Sequence, residues 1–178
     1  MAPQKPSTSI LCSLAKAHGT DKYPWYTPFY SALLGDKDVK RVLEIGVLNG
    51  ASLAMWRDFW PQAEVWGFDI EKRDTDIQVM YGDQSKPEDL AFATRLGPFD
   101  LVIDDGSHKP ADQILGALTL VPHLAPGGLY IIEDVNFPVF EILYKLPWPC
   151  QYVECHSANE QDRMKGMYGR CIVIPSPL

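Results

Sequence analysis

The sequence predicts an α/β fold in which a doubly wound, mainly parallel sheet carries helices on both faces. From residue 39 to residue 132, short apolar segments alternate with longer amphipathic segments. Strands that alternate with helices need crossover connections, and such connections make neighbouring strands parallel. The last of these segments, 129–132, is apolar without alternation, which is typical of a strand that is covered on both faces.

Length and segment order predict the domain organisation. Residues 1–9 form a polar leader that is expected to be mobile, and residues 10–178 form one domain with its own core. Within that domain, 10–38 is expected to form two short N-terminal helices and 39–178 the α/β core. The predicted core strands cover 39–45, 64–70, 77–81, 99–103 and 129–132, and the predicted core helices cover 51–60, 85–96 and 110–124.

Capping and turn residues mark several boundaries. Ser7 or Thr8 is expected to cap the first helix. Ser85 and Glu88 have the spacing of a capping box at the start of the second core helix. The residues Ala125–Gly128 predict a turn before the fifth strand.

The C-terminal third is less regular. Residues 151–156 and 171–174 predict two further strands, which would form an antiparallel pair at the sheet edge and bring the sheet to seven strands. The polar segment 158–169 between them is expected to be a loop.

The acidic composition excludes several classes of partner. The net charge at pH 7 is −7, whereas proteins that bind nucleic acid or anionic membranes carry a basic surface. The longest apolar stretches, about six residues, are far shorter than the roughly 20 that cross a bilayer. We expect a cytoplasmic protein, because no apolar signal segment precedes residue 10 and the four cysteines fit free thiols. Cys150, Cys155 and His156 lack the close cysteine pairs of zinc sites, so buried thiols are expected instead.

Residues that follow the first three strands favour a nucleoside ligand. Gly46 and Gly50 allow a tight turn and a close approach of the backbone to a ligand. Leu48 replaces the second glycine of the dinucleotide fingerprint, which disfavours NAD and FAD. Asp69 can accept both hydroxyls of a ribose, and Asp83 with Gln84 suits the amine edge of adenine. The alternatives are a plain strand–helix turn, a solvated aspartate and simple helix capping.

Acidic residues and one histidine follow the fourth and fifth strands. Asp104, Asp105 and His108 follow one strand, and Glu133 with Asp134 follows the next. Bringing four carboxylates together is unfavourable unless a cation is present, and hard oxygen ligands suit Mg²⁺ or another divalent ion. The alternative is that these acids cap helices and face water.

These segments together resemble the class I S-adenosylmethionine-dependent methyltransferases. The most similar branch is the metal-dependent sugar O-methyltransferases of macrolide and related natural-product pathways. The resemblance covers about residues 14–135 and is carried by Glu44–Gly46, Asp69, Gly82–Ser85, Ile103–His108 and Gly127–Asp134, with His18–Lys22 matching the segment before the core.

The resemblance implies a Rossmann-like fold, S-adenosyl-L-methionine as methyl donor, and Mg²⁺ or a similar divalent cation. It also implies the roles of individual residues. Glu44, Gly46 and Gly50 would lie by the methionine part of the donor, Thr20 and Ser52 near its carboxylate, Asp69 at the ribose, Asp83 and Gln84 at the adenine, and Asp104 along the pocket through its backbone. Asp105, Glu133 and Asp134 would bind the metal, with His108 as the general base.

The expected reaction is O-methylation of a hydroxylated small molecule, such as a sugar. An open acceptor site would also be compatible with a homo-oligomer in which a second subunit supplies a wall. A metal-independent N- or O-methyltransferase and a non-catalytic protein that binds the donor stay open as alternatives. The aromatic residues of 23–30 are expected to pack the N-terminal helices on the core, although Tyr23 or Tyr26 could instead close over the donor.

Overall fold

The structure is dominated by parallel strands whose carboxyl ends lie along one edge of the sheet. It is a computed structural model, and it describes residues 9–35, 37–135, 140–165 and 168–178. Within these ranges seven strands form one sheet in the order β3-β2-β1-β4-β5-β7-β6. They are β1 (Arg41–Ile45), β2 (Glu64–Asp69), β3 (Gln78–Tyr81), β4 (Phe99–Asp104), β5 (Leu124–Ile132), β6 (Gln151–His156) and β7 (Tyr168–Pro175). Strands β1 to β5 are parallel to their neighbours, and β7 is antiparallel to β5 and to β6. The predicted fold class and the antiparallel edge pair are confirmed.

Helices cover both faces of this sheet. In the described ranges they are α1 (Ile10–His18), α2 (Thr27–Leu34), α3 (Ala51–Phe59), α4 (Pro87–Ala93), α5 (Pro110–Leu120), α6 (Phe140–Lys145) and α7 (Glu160–Met164). The apolar residues of α1, α2 and α3 join one buried cluster, and those of α4, α5 and α6 join another on the opposite face. Among the described helices, none has the length and apolar character that a bilayer crossing requires.

Two predicted helix caps are wrong. Ser9, not Ser7 or Thr8, caps α1, because its hydroxyl accepts the N–H of Cys12 at 3.2 Å; residues 7 and 8 lie outside the described ranges. The capping box at Ser85 is not formed. The Ser85 hydroxyl donates to the Asp83 carboxylate at 2.7 Å instead, and α4 begins two residues after Ser85, at its proline.

Two further boundaries differ from the sequence prediction. Strand β5 begins at Leu124, which pairs with Phe99, so the predicted turn at 125–128 is an irregular part of the strand with a register shift opposite 99–101. The predicted loop 158–169 contains α7, and α6 was not predicted. Both helices are short, and helices of one or two turns carry too few residues for a clear apolar period.

Backbone hydrogen bonds continue past the ends of the central strands. The N–H of Gly46 bonds the carbonyl of Phe68 at 2.8 Å, and the N–H of Asp105 bonds that of Ile45 at 2.9 Å. The N–H of Glu133 bonds the carbonyl of Asp104 at 2.9 Å. The first residues of each loop therefore start from fixed positions along one edge, which is the edge where open α/β sheets bind ligands.

Candidate active site

A cleft of about 320 Å³ lies at the carboxyl edge of the sheet. The loops after all five parallel strands contribute to its lining, and Thr20 and Asp21 of the N-terminal segment complete it. Three non-glycine residues with positive φ line this cleft, namely Leu48, His108 and Asp134, at 50°, 56° and 48°. Such backbone geometry is unfavourable for residues with a Cβ, and it is concentrated at functional sites in folded proteins.

The loop after β1 requires glycine at position 46. Gly46 has φ +87°, and a Cβ built there would lie 2.1 Å from the carbonyl oxygen of Asp105. Any side chain would therefore force apart the loops after β1 and β4. Gly50 also has positive φ, +80°, but it begins α3 and does not line the cleft.

Asp69 stands at the end of β2 and points its carboxylate along the cleft wall. It accepts the N–H of Val47 and the N–H of Glu71, each at 2.8 Å, and it pairs with Arg73 at 3.1 Å. Burial raises the pKa of Asp69, but these hydrogen bonds and the guanidinium outweigh burial and lower it below its usual range. The carboxylate is thus held ionised and fixed in direction. Both properties suit a group that accepts hydrogen bonds from ligand hydroxyls.

The loop after β3 places Asp83 and Gln84 in the cleft wall. Asp83 accepts hydrogen bonds from the N–H and hydroxyl of Ser85. Gln84 is 6% exposed, donates to Asp104 at 2.7 Å and accepts the N–H of Ser107 at 3.0 Å. The Gln84 amide therefore ties the loop after β3 to the loop after β4, a role that the sequence did not suggest.

Asp104 lies beneath the cleft with no exposed surface. Its carboxylate accepts hydrogen bonds from Gln84 and from the hydroxyl of Tyr130, the latter at 2.8 Å. Burial raises the pKa of Asp104 to about 6, although these two hydrogen bonds oppose the shift. The carboxylate does not line the cleft, so Asp104 supports the loop after β4 from below.

Asp105, His108 and Asp134 meet in the cleft. One potential ligand atom from each lies within 4.8 Å of those of the other two, and within the described part of the chain they are the one such group of three. The Nδ1 atom of His108 is buried and has no hydrogen-bond partner among the described residues. The predicted metal ligand Glu133 lies elsewhere, 1% exposed and outside the cleft lining.

A buried ammonium group joins two interior acids to one acid of the cleft. The Nζ atom of Lys22 lies 3.1 Å from Glu44, 2.8 Å from Asp105 and 2.9 Å from Glu133. Lys22 is 1% exposed. Burial alone would lower its pKa, but the three carboxylates raise it well above the ordinary 10.5, so the amine stays charged.

Glu44 and Glu133 are held in the interior by further donors. The indole N–H of Trp56 donates to Glu44 at 2.8 Å, and the hydroxyl of Tyr30 donates to Glu133. Burial raises the pKa of both carboxyls, and the Lys22 ammonium opposes this rise. Neither residue reaches the cleft surface.

The N-terminal segment thus supplies three residues that contact acids at the edge of the sheet, and the sequence analysis did not predict these contacts. Lys22, Tyr26 and Tyr30 follow one another at four-residue spacing, and backbone hydrogen bonds link Tyr26 to Lys22 and Tyr30 to Tyr26. That spacing, which puts all three on one side of a helical segment, was the available signal. The predicted packing role of the aromatic residues is confirmed for Tyr26 and Tyr30, which are 5% and 0% exposed, but neither Tyr23 nor Tyr26 lines the cleft.

The structure brings most of the predicted site residues to one place. Those that line the cleft are Thr20, Gly46, Ser52, Asp69, Asp83, Gln84, Asp105, His108 and Asp134. Those that do not line it are Glu44, Gly50, Asp104 and Glu133. Asn49, Ile70 and Arg73 line it without having been predicted.

Several known proteins are similar to this chain in sequence. The chain is 42% identical over 142 residues to mycinamicin VI 2''-O-methyltransferase of Micromonospora griseorubida. It is 38% identical over 154 residues to 8-demethyl-8-alpha-L-rhamnosyl tetracenomycin-C 2'-O-methyltransferase of Streptomyces olivaceus. The chain is a homologue of sugar O-methyltransferases from macrolide and tetracenomycin pathways. No protein-family model matches it.

A solved structure extends the similarity to three dimensions. The MycE methyltransferase of the mycinamycin biosynthetic pathway, in complex with Mg, SAH and mycinamycin VI, superposes with a TM-score of 0.66 at 40% identity. The match covers 71% of this chain and 37% of MycE. The matches to the two curated relatives cover 70% and 75% of this chain but only 36% and 40% of those proteins, so the chain spans little more than a third of their length. The fold is that of the class I methyltransferases.

Replacement of Lys22 tests the buried ion group. We expect Lys22→Met to lower the free energy of unfolding by about 3–5 kcal/mol, because it leaves buried carboxylates without their counter-ion. Chemical denaturation measures the change, with Lys72→Met as the control, since Lys72 is exposed. A loss below about 1 kcal/mol, the range of exposed pairs, would contradict the geometry.

We expect Asp104 to make the free energy of unfolding depend on pH. Because folding raises its pKa from 3.8 to about 6, Asp104 contributes stability that is complete below pH 3.8 and is lost as the pH rises through 6. Between pH 4 and pH 7 the unfolding free energy of the unsubstituted chain should therefore fall by roughly 2–3 kcal/mol more than that of Asp104→Asn. Denaturation at several pH values in EDTA measures this difference. The exposed control Asp38→Asn should keep the full slope, and equal slopes for all three proteins would refute the prediction.

Proposed function

We propose that the chain is the methyltransferase unit of an enzyme that transfers a methyl group from S-adenosyl-L-methionine to a hydroxyl of a small molecule, with a divalent cation. The observation that carries the proposal is that a single cleft joins a nucleoside-type wall, Asp69 and Asp83, to a cluster of Asp105, His108 and Asp134. The MycE structure, at 40% identity, contains Mg, SAH and a macrolide. The cleft of this chain offers groups suited to a donor of this type and to a divalent cation.

The chain's residues fit the donor. Gly46 leaves the loops after β1 and β4 in close contact, and no side chain stands between them. Asp69 is ionised and fixed by two backbone N–H groups, which suits two ribose hydroxyls. Asp83 lines the same cleft, and its carboxylate could accept a hydrogen bond from an adenine amine. Thr20 and Ser52 also line the cleft and supply hydroxyl donors for a carboxylate.

The residues also fit a divalent cation. Asp105 and Asp134 offer carboxylate oxygens, the ligand type that Mg²⁺ prefers, and their ligand atoms and that of His108 lie within 4.8 Å of one another. The buried, unpartnered Nδ1 atom of His108 is a further sign that a polar ligand completes the site. Glu133 could join this set only if its contacts with Lys22 and Tyr30 were released, so its predicted role as a ligand stays a proposal.

The chemistry assigns separate tasks to these residues. The donor would supply an activated methyl group, and a divalent cation held by Asp105 and Asp134 would lower the pKa of an acceptor hydroxyl. The chain must then align donor and acceptor, which the rigid loops after β1, β2 and β4 do. His108 accepts the hydroxyl proton as transfer proceeds, since its ring lies beside Asp105 and Asp134 in the cleft. Lys22 neutralises part of the negative charge of Glu44, Glu133 and Asp105, and of these three only Asp105 lines the cleft.

The acceptor class follows from the relatives. Their names specify hydroxyls on mycinamicin VI and on a rhamnosyl tetracenomycin, and we propose a hydroxylated sugar or a glycosylated small molecule for this chain. Nucleic acid and membrane surfaces are not among its proposed partners, because of the net charge of −7. A cytoplasmic location and a homo-oligomer in which a second copy completes the acceptor wall also stay predictions.

Donor binding tests the nucleoside wall. We expect Asp69→Asn to weaken the binding of S-adenosylhomocysteine by about 10- to 100-fold, because a charged acceptor of two hydroxyl hydrogen bonds is lost. Isothermal titration calorimetry measures the dissociation constant. The control is Asp74→Asn, an exposed position in the loop after β2. Equal affinity for both variants would place the ribose elsewhere.

Methyl transfer tests the cation and the base. With S-adenosylmethionine and a panel of glycosylated macrolides, we expect product formation that EDTA abolishes and that Mg²⁺ restores. His108→Asn keeps a residue that tolerates positive φ, and it should lower kcat by about 100-fold or more. Mass spectrometry of the products measures both effects. Activity that survives complete metal removal would favour metal-independent transfer, and donor binding without turnover on the panel would favour a non-catalytic binding protein.

A further inference from the structure

The hydroxyl of Tyr26 is the point where three parts of the chain meet. Its oxygen lies 2.5 Å from a carboxylate oxygen of Asp134, 3.1 Å from the Asp134 N–H and 3.3 Å from the Arg170 N–H. A phenol has one proton to donate and two lone pairs. The proton goes to the carboxylate and the lone pairs accept the two N–H groups, so this arrangement uses the full hydrogen-bonding capacity of the hydroxyl.

Asp134 depends on this contact for its direction. It is a non-glycine residue with φ 48°, a conformation that costs on the order of 1–2 kcal/mol relative to ordinary backbone. Both its N–H and one carboxylate oxygen are held by the same Tyr26 oxygen. Backbone and side chain are therefore fixed together, and the second carboxylate oxygen is left for the cleft, where Asp134 meets Asp105 and His108.

Strand β7 packs directly against the Tyr26 ring. A Cβ built on Gly169 would lie 2.7 Å from the Cζ atom of Tyr26 and 3.0 Å from its hydroxyl oxygen. Real Cβ atoms do not approach other atoms this closely, so glycine at 169 is what allows the ring to lie here. The ring is thus confined between β7 and the residue that follows β5.

We propose that Tyr26 is a positioning residue whose hydroxyl orients Asp134 toward a divalent cation and thereby sets the affinity of the site for that cation. The inference rests on the cation of the proposed function. It adds a residue outside the cleft that sets how tightly the cation binds. Tyr26 touches neither donor nor acceptor, because it does not line the cleft. Its effect is therefore expected on cation binding and not on donor binding.

Titration of the complete chain with Mn²⁺ tests this inference. We expect Tyr26→Phe to bind Mn²⁺ about 10- to 100-fold more weakly than the unsubstituted chain, since a charge-assisted hydrogen bond that orients a ligand is lost. Its affinity for S-adenosylhomocysteine should change by less than about threefold. Calorimetry gives both constants. The matched control is Tyr23→Phe, whose ring packs beneath the Lys16 ammonium outside the cleft and should retain both affinities.

A second variant provides the test if Tyr26→Phe does not fold. Gly169→Ala pushes on the Tyr26 ring from β7 while keeping the hydroxyl, and it should also weaken Mn²⁺ binding more than donor binding. If Tyr26→Phe unfolds, this variant decides the question. Thermal unfolding of each protein identifies the folded variants.

Several outcomes would overturn the inference. Mn²⁺ affinity that is unchanged in folded Tyr26→Phe would do so, as would an equal loss of Mn²⁺ and donor affinity, which would indicate general structural damage. If the unsubstituted chain binds the donor but no Mn²⁺, the inference fails together with the cation of the proposed function, while the donor site stands. If it binds neither, the donor site fails as well.

Discussion

The ammonium group of Lys22 lies among three carboxylates that would otherwise repel one another at the edge of the sheet. It contacts Glu44 within β1, Asp105 beyond β4 and Glu133 beyond β5, all at 2.8–3.1 Å. Because Lys22 is buried, water screens these interactions only weakly. The acids at the ends of three adjacent strands can therefore lie close together. Their positions help to set the charge and the shape of the cleft beside them.

Two kinds of rigidity act around that ion group. Backbone hydrogen bonds carry the pairing of β1, β2, β4 and β5 one residue beyond the strands, so each loop leaves the sheet in a fixed direction. Side-chain amides and phenols then join the loops to one another. Gln84 joins the loops after β3 and β4, and Tyr26 joins the residue after β5 to β7. A site that aligns two substrates benefits from such fixed walls, because alignment supplies much of the catalytic effect in transfer reactions.

The sequence predicted the sheet and the location of the cleft because their signals are local. Apolar segments that alternate with amphipathic helices predict a mainly parallel sheet, and polar residues after strand ends mark the ligand edge. Asp69, Asp105, His108 and Asp134 were found in this way. The same reasoning could not separate Glu133 from Asp134, since adjacent residues after a strand point to different surroundings. Only the structure shows that Glu133 turns inward to Lys22 and Tyr30 while Asp134 faces the cleft.

The contacts of the N-terminal segment depend on partners that are distant in sequence. The hydrogen bond from Lys22 to Glu133 joins residues separated by 111 positions, and that from Tyr26 to Asp134 joins residues separated by 108. Contacts of such separation carry a large loop-closure entropy and form once the intervening chain has been ordered. The α/β sheet can therefore nucleate from its own neighbouring strands, whereas the acidic edge acquires its final order only when the first helices dock. In this chain, we therefore expect completion of the cleft to be a late step of folding that follows formation of the sheet.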